Sequence, residues 1–216
     1  MNKVFFSILA AFVLVSCSQS QESMLAEIAE FENSEKTGTK EGLAELAMLH
    51  KAYGIKYEDA QANDYLYAAA QYYYYEKNTA EAESLLTQYI TRDDSTERFR
   101  NAAINLAILN GKAGKFIEAD DLISEVLDKD LPTAAQWQDV IKLYEDKLKE
   151  NKNIAPKDYE RLALAFTAVG RFEEALTALD QAIKDFPKYE NRSDLIYRAG
   201  FIGWEYLKDS KVASAY

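Results

Sequence analysis

Apolar residues in this chain recur at the spacings i, i+3, i+4 and i+7, and alternating stretches are scarce. A helix turns once in 3.6 residues, so this spacing gathers apolar side chains on one face; a strand needs a period of two. The pattern predicts helices at about 22–33, 40–53, 60–77, 79–91, 97–113, 115–128, 134–151, 156–169, 171–185 and 193–208. With only 8 Gly and 3 Pro in 216 residues, the chain lacks material for the many tight turns of an all-β fold. Gly114 and Gly170 fall between helices, where tolerance of positive φ makes a turn easy, and Pro132 and Pro187 follow helix ends. Asn78 with Glu81 and Thr133 with Gln136 have capping-box spacing, in which side chains satisfy the free N–H groups of a helix start. The expected class is all-α, with antiparallel helices joined by very short turns.

The first seventeen residues, MNKVFFSILAAFVLVSC, depart from this pattern. Lys3 precedes an apolar run from Val4 to Val15 with no polar face, and small Ser16 stands before Cys17. A basic start, an apolar stretch too short for a relaxed bilayer and a small-residue junction are the layout of a signal peptide. Leu14-Val15-Ser16-Cys17 resembles the lipobox of bacterial lipoproteins. The resemblance implies loss of residues 1–16, a diacylglycerol on the Cys17 sulfur and an acyl chain on its new amino group. Acyl chains buried at about 0.8 kcal/mol per CH₂ would anchor the protein without a spanning helix. Residues 17–24 would be the lipidated N-terminus and tether. By analogy with such lipoproteins, Ser18 implies the outer membrane, with the chain facing the periplasm. No stretch after Cys17 approaches the ~20 apolar residues of a further span.

The body of the chain, 25–216, is self-similar. Its clearest unit is 156–189, PKDYERLALAFTAVGRFEEALTALDQAIKDFPKY. Tyr159, Leu162, Ala163 and Phe166 fall on its first helix, Gly170 and Phe172 flank the turn, Ala175, Leu179 and Ala182 fall on the second helix, and Pro187 ends it. This unit resembles a tetratricopeptide repeat. Small Ala163 and Ala175 would let two helices cross closely, with Phe166 and Phe172 filling the space beside them. Residues 100–133 match through Ala103, Leu106, Ala107, Gly114, Phe116, Ala119, Ile123 and Val126, with Asn110 where a large aromatic is usual. Residues 63–96 match through Leu66, Ala69, Ala70, Tyr73, Ala82, Leu86 and Tyr89, with Lys77 in place of the turn Gly. A partial unit occupies 196–216, and helices 22–53 would cap or begin the array. The resemblance implies a right-handed superhelix, an α-α solenoid of antiparallel helix pairs. One extra helix, 134–151, amphipathic through Trp137, Val140, Ile141, Tyr144 and Leu148, interrupts the alternation and is expected to bend or split the array near residue 132.

Chemistry-bearing residues are few. One His and one Cys leave no His/Cys metal set, no Cys–His pair and no disulfide. His50 has no nucleophile near it in sequence, so a structural role is expected. Asp93-Asp94 and Asp120-Asp121 lack the spaced ligands and turn Gly of a calcium loop. No glycine-rich phosphate loop or nucleophile elbow occurs. Neither catalysis nor a cofactor is expected. The 25 basic and 36 acidic residues give a net charge of −11, or −12 once the leader and Lys3 are removed. Such a charge repels phosphate backbones and argues against nucleic acid as a partner.

In DYLYAAAQYYYYEKN, Leu66, Ala69, Ala70 and Tyr73 form one stripe, and Tyr67, Gln71, Tyr74 and Tyr75 form a roughly opposite one. In tetratricopeptide proteins the matching positions line a concave groove that holds extended peptides; the next unit would add Asn101, Ile104, Ile108 and Lys112. Tyrosine supplies large contact area with few rotors and a hydroxyl. The competing expectation is that these tyrosines pack against helices 22–53 and finish the core. The expected function is an envelope-anchored scaffold that binds a protein partner for assembly, secretion or an envelope complex. The alternative is a glycan- or solute-capture lipoprotein, disfavoured because no insertion exceeds about 22 residues.

Overall fold

The computed structural model describes residues 19–92, 97–129, 132–150 and 153–216. The leader, Cys17, Ser18 and the pair Asp93-Asp94 lie outside the described residues. Among the described residues the chain is helical, with no strand. The helices are α1 (Gln21–Glu32), α2 (Lys40–Lys56), α3 (Ala60–Tyr75), α4 (Thr79–Ile90), α5 (Glu97–Lys112) and α6 (Phe116–Lys129). They continue with α7 (Ala134–Glu150), α8 (Pro156–Ala168), α9 (Phe172–Asp185), α10 (Arg192–Phe201) and α11 (Ser210–Ser214). None of the described helices is long and apolar enough to cross a membrane.

Local chemistry sets the boundaries. Asp59 accepts from Ala62 N at 2.7 Å to start α3, and Thr133 exchanges two hydrogen bonds with Gln136 to start α7. At α4 only half of the expected box forms: Asn78 Oδ1 accepts from Glu81 N, while the Glu81 carboxylate pairs with Lys51 at 2.6 Å. Gly114 and Gly170 take φ of +76° and +78°, and Lys77 fills the corresponding turn with φ of +61°. The expected helix 193–208 stays α-helical only to Phe201. Ile202–Tyr206 then forms one wider π turn, and α11 folds back so closely that a Cβ on Gly203 would lie 2.9 Å from Ala213 N.

The chain forms two compact units, one up to Leu106 and one from Ala107, so the division falls inside α5 rather than near residue 132. In the first unit α2 packs on α1 and α3, and α4 packs on α3. Met24, Ile28, Leu49, Tyr53 and Ala62 form a core cluster across α1, α2 and α3. The sequence pattern ends α2 at 53, yet the helix runs on through Gly54 to Lys56. A Cβ on Gly54 would lie 2.8 Å from Leu66 N, so its absence lets α2 and α3 meet backbone to backbone.

In the second unit α7 packs on α8, α8 on α9 and α9 on α10. The extra helix buries Trp137, Val140, Ile141, Leu143 and Tyr144, joining the core as its periodicity required. Polar groups tie α6, α7 and α8 together. Asp120 accepts from Tyr144 Oη at 2.5 Å and pairs with Lys157 at 2.8 Å, and Arg161 donates to Ser124 Oγ at 2.6 Å. Burial pushes the Asp120 carboxyl up, but hydrogen bonds from Lys157 and Tyr144 and the charge of Arg161 outweigh it and hold the group below its usual range. Burial and the Asp120 charge push the Tyr144 hydroxyl far up. Lys147 and Asp158 form a buried pair at 2.5 Å, and Asp158 also accepts from Ala155 N at the start of α8. Asp120 is therefore part of the packing, whereas its neighbour Asp121 is exposed.

Candidate functional site

Helix geometry sorts the tyrosines of α3 by face. Tyr65 stacks on His50 of α2 at 4.5 Å and meets Tyr53 edge-on at 5.4 Å. Lys51 Nζ sits 5.9 Å from the Tyr73 ring, and Tyr72 lies near the Lys40–Glu76 ion pair. Burial raises the hydroxyl pKa of Tyr65, Tyr72 and Tyr73 alike. The rings that meet α2 are therefore Tyr65, Tyr72 and Tyr73, whereas the competing expectation places the groove tyrosines Tyr67, Tyr74 and Tyr75 there.

Tyr67, Gln71 and Tyr74 are half-buried on the other stripe, and Tyr75 is 74% exposed. The Tyr67 ring lies 5.1 Å from Tyr89 of α4, and Tyr74 and Tyr75 meet edge-on at 5.7 Å. Side chains of α5 come against this stripe. Asn101 Nδ2 donates to Tyr67 Oη at 3.3 Å, Asn105 Nδ2 donates to Gln71 Oε1 at 3.2 Å, and Arg98 pairs with Asp64. All three pairs are separated by 34 residues and run in the same order along both helices, so α3 and this part of α5 lie side by side and parallel. Arg98 also stands over the Tyr67 ring at 5.7 Å.

The structure corrects part of the expected lining. Ile104 is 1% exposed and belongs to the core, because its position on α5 points into the packing rather than along the stripe. Ile108 is half-buried and Lys112 exposed, both in the second unit. Asn105, Arg98 and Asp64 were missed. The signal was available: Asn105 stands one turn from Asn101 and 34 residues from Gln71.

Chemically the α3–α5 row offers carboxamides and phenols. Each carboxamide can donate and accept, which suits hydrogen bonding to an extended backbone. The Gln71 amide nitrogen is buried and has no hydrogen-bond partner among the described residues, leaving a donor unused. His50 has a packing role instead: it is buried, stacked on Tyr65, and its Nε2 lies 3.1 Å from Glu32 Oε1. Burial lowers its pKa below the ordinary value, against the raising effect of Glu32. Among the described residues no group of three or more His, Cys, Asp or Glu side chains could hold a metal. Compared with family models and with curated proteins, the chain matches none.

Proposed function

We propose that this protein is an interaction scaffold of the bacterial envelope, a right-handed tetratricopeptide-like superhelix held to the outer membrane by lipid on Cys17. Its partner is a protein segment that lies extended along the α3–α5 row. The observation that carries this reading is the parallel pairing of Tyr67 with Asn101 and of Gln71 with Asn105 beside the exposed Tyr75. Side-by-side first helices are the geometry by which repeat proteins build a continuous binding surface. A row of neutral donors and acceptors with aromatic faces suits a peptide backbone, whose polar groups need partners at regular spacing.

The test is a photo-crosslinking amino acid placed at Tyr75 in cells, with the 71%-exposed Ile117 of the second unit as a control site. A discrete protein adduct at Tyr75, absent at Ile117 and lost when Gln71 and Asn105 are changed to Ala, is the expected result. Equal adducts at both sites, or none at Tyr75, would remove the row as the binding surface.

A further inference from the structure

Wholly within the second unit, an open cleft of about 140 Å³ lies between α8 and α10. Leu164, Leu179 and Ile202 line its apolar interior, and Tyr197, Phe201 and Tyr206 stand along it. An apolar cavity of about 150 Å³ accommodates a benzene ring, so the cleft has room for one large apolar side chain. Two of its rings pack on neighbours: Tyr206 stacks on Phe172 at 4.5 Å with planes 7° apart, and Phe201 meets Tyr206 edge-on at 5.8 Å. The π turn puts Tyr206 in that position, and single π turns recur at functional places in helices.

The rim is asymmetric. On one side Glu160 already accepts from Tyr189 Oη at 2.8 Å. On the other, the exposed Arg198 guanidinium has no acceptor among the described residues, in a chain with eleven more acidic than basic residues. A guanidinium beside an apolar slot is complementary to a carboxylate held next to a large apolar side chain. Tyr197, which lines the cleft, is itself 72% exposed, so aromatic surface runs out of the slot toward solvent. A segment that passes through meets more aromatic surface than one that ends there.

From the free cation, the slot and the packed rings, we infer that this cleft docks an internal segment of a protein partner carrying an aromatic or large aliphatic residue beside an Asp or Glu. The site is additional to the α3–α5 row, and the proposed function does not depend on it.

Four ten-residue peptides in a Gly/Ser background would be titrated into the isotopically labelled protein and followed by backbone amide shifts. Three have amidated ends and carry internal Phe-Asp, Phe-Asn or Ala-Asp; the fourth carries Phe at a free C-terminus. The Phe-Asp peptide should shift the amides of Tyr197, Arg198 and Phe201 and bind about tenfold tighter than Phe-Asn or Ala-Asp, the factor of one charge-assisted hydrogen bond or one buried ring. In Arg198→Gln the advantage of Phe-Asp over Phe-Asn should vanish. In Thr167→Trp, whose added ring would occupy the cleft, the shifts should be lost while the rest of the spectrum is unchanged. Equal binding of Phe-Asp and Phe-Asn, preference for the free C-terminus, or no shifts at α10 would overturn the inference. Shifts confined to α3 and α5 would overturn it while leaving the α3–α5 row intact.

Discussion

His50 is the residue whose chemistry changes most near neutral pH. It is buried against Tyr65 and Glu32, and burial favours its neutral form, so its folded pKa lies below the ordinary 6.5. The sign follows from proton uptake: below pH 6.5 the unfolded chain gains a proton that the folded chain resists, so stability falls as pH falls. His50→Phe keeps the ring on Tyr65 and removes the titration. Between pH 7.5 and 5.5, above the range where most carboxylates titrate, the denaturant midpoint should fall more for the native chain than for the variant; parallel falls would show that His50 is not responsible. Backbone strain gives a second pair of tests. Gly170 has open space around a virtual Cβ but a φ of +78°, so Gly170→Val should cost about 1–2 kcal/mol through the backbone alone. Lys77, at φ of +61°, already bears such a strain, and Lys77→Gly should raise the melting temperature by relieving up to about 1 kcal/mol.

At the scale of helices, α2 and α3 cross closely at Gly54. A single added methyl would lie 2.8–2.9 Å from Leu66 backbone atoms, which cannot swing aside as a side-chain tip could. Gly54→Ala, though favourable for an isolated helix, should therefore destabilise the first unit by about 1–3 kcal/mol, the usual cost of overpacking. Chemical denaturation measures it, and a neutral or stabilising result would mean that the helices do not cross so closely. The second unit adds a different device: Asp120, Tyr144, Lys157 and Arg161 join α6, α7 and α8 through polar contacts.

For the whole molecule, the proposed lipid anchor turns on Cys17. If Cys17 carries lipid, the protein should fractionate with membranes, and Cys17→Ser should release it to the soluble fraction. A Cys17→Ser chain that stays membrane-bound would defeat the anchor. The net charge of −11 adds a second expectation: the full chain should not retain duplex DNA at physiological salt, since phosphate binding draws on clustered cations.

The all-helical class and nearly every helix end were legible in the sequence, because 3.6-residue periodicity, caps and turn glycines act within a few residues of one another. The positive φ of Gly114 and Gly170 and the burial of α7 through Trp137, Val140, Ile141 and Tyr144 could be read in this way. So could the stripe of Tyr67, Gln71, Tyr74 and Tyr75. What covers each stripe was not legible. Ile104 and Asn105 are adjacent in sequence, yet one enters the core and the other meets Gln71, a choice made by the rotation of α5 against α3. Gly54 reads as a weak helix residue, and only the approach of Leu66 reveals why no side chain fits there. The division inside α5 and the cleft beside Arg198 likewise depend on contacts between segments far apart in the chain, and no local spacing encodes those contacts.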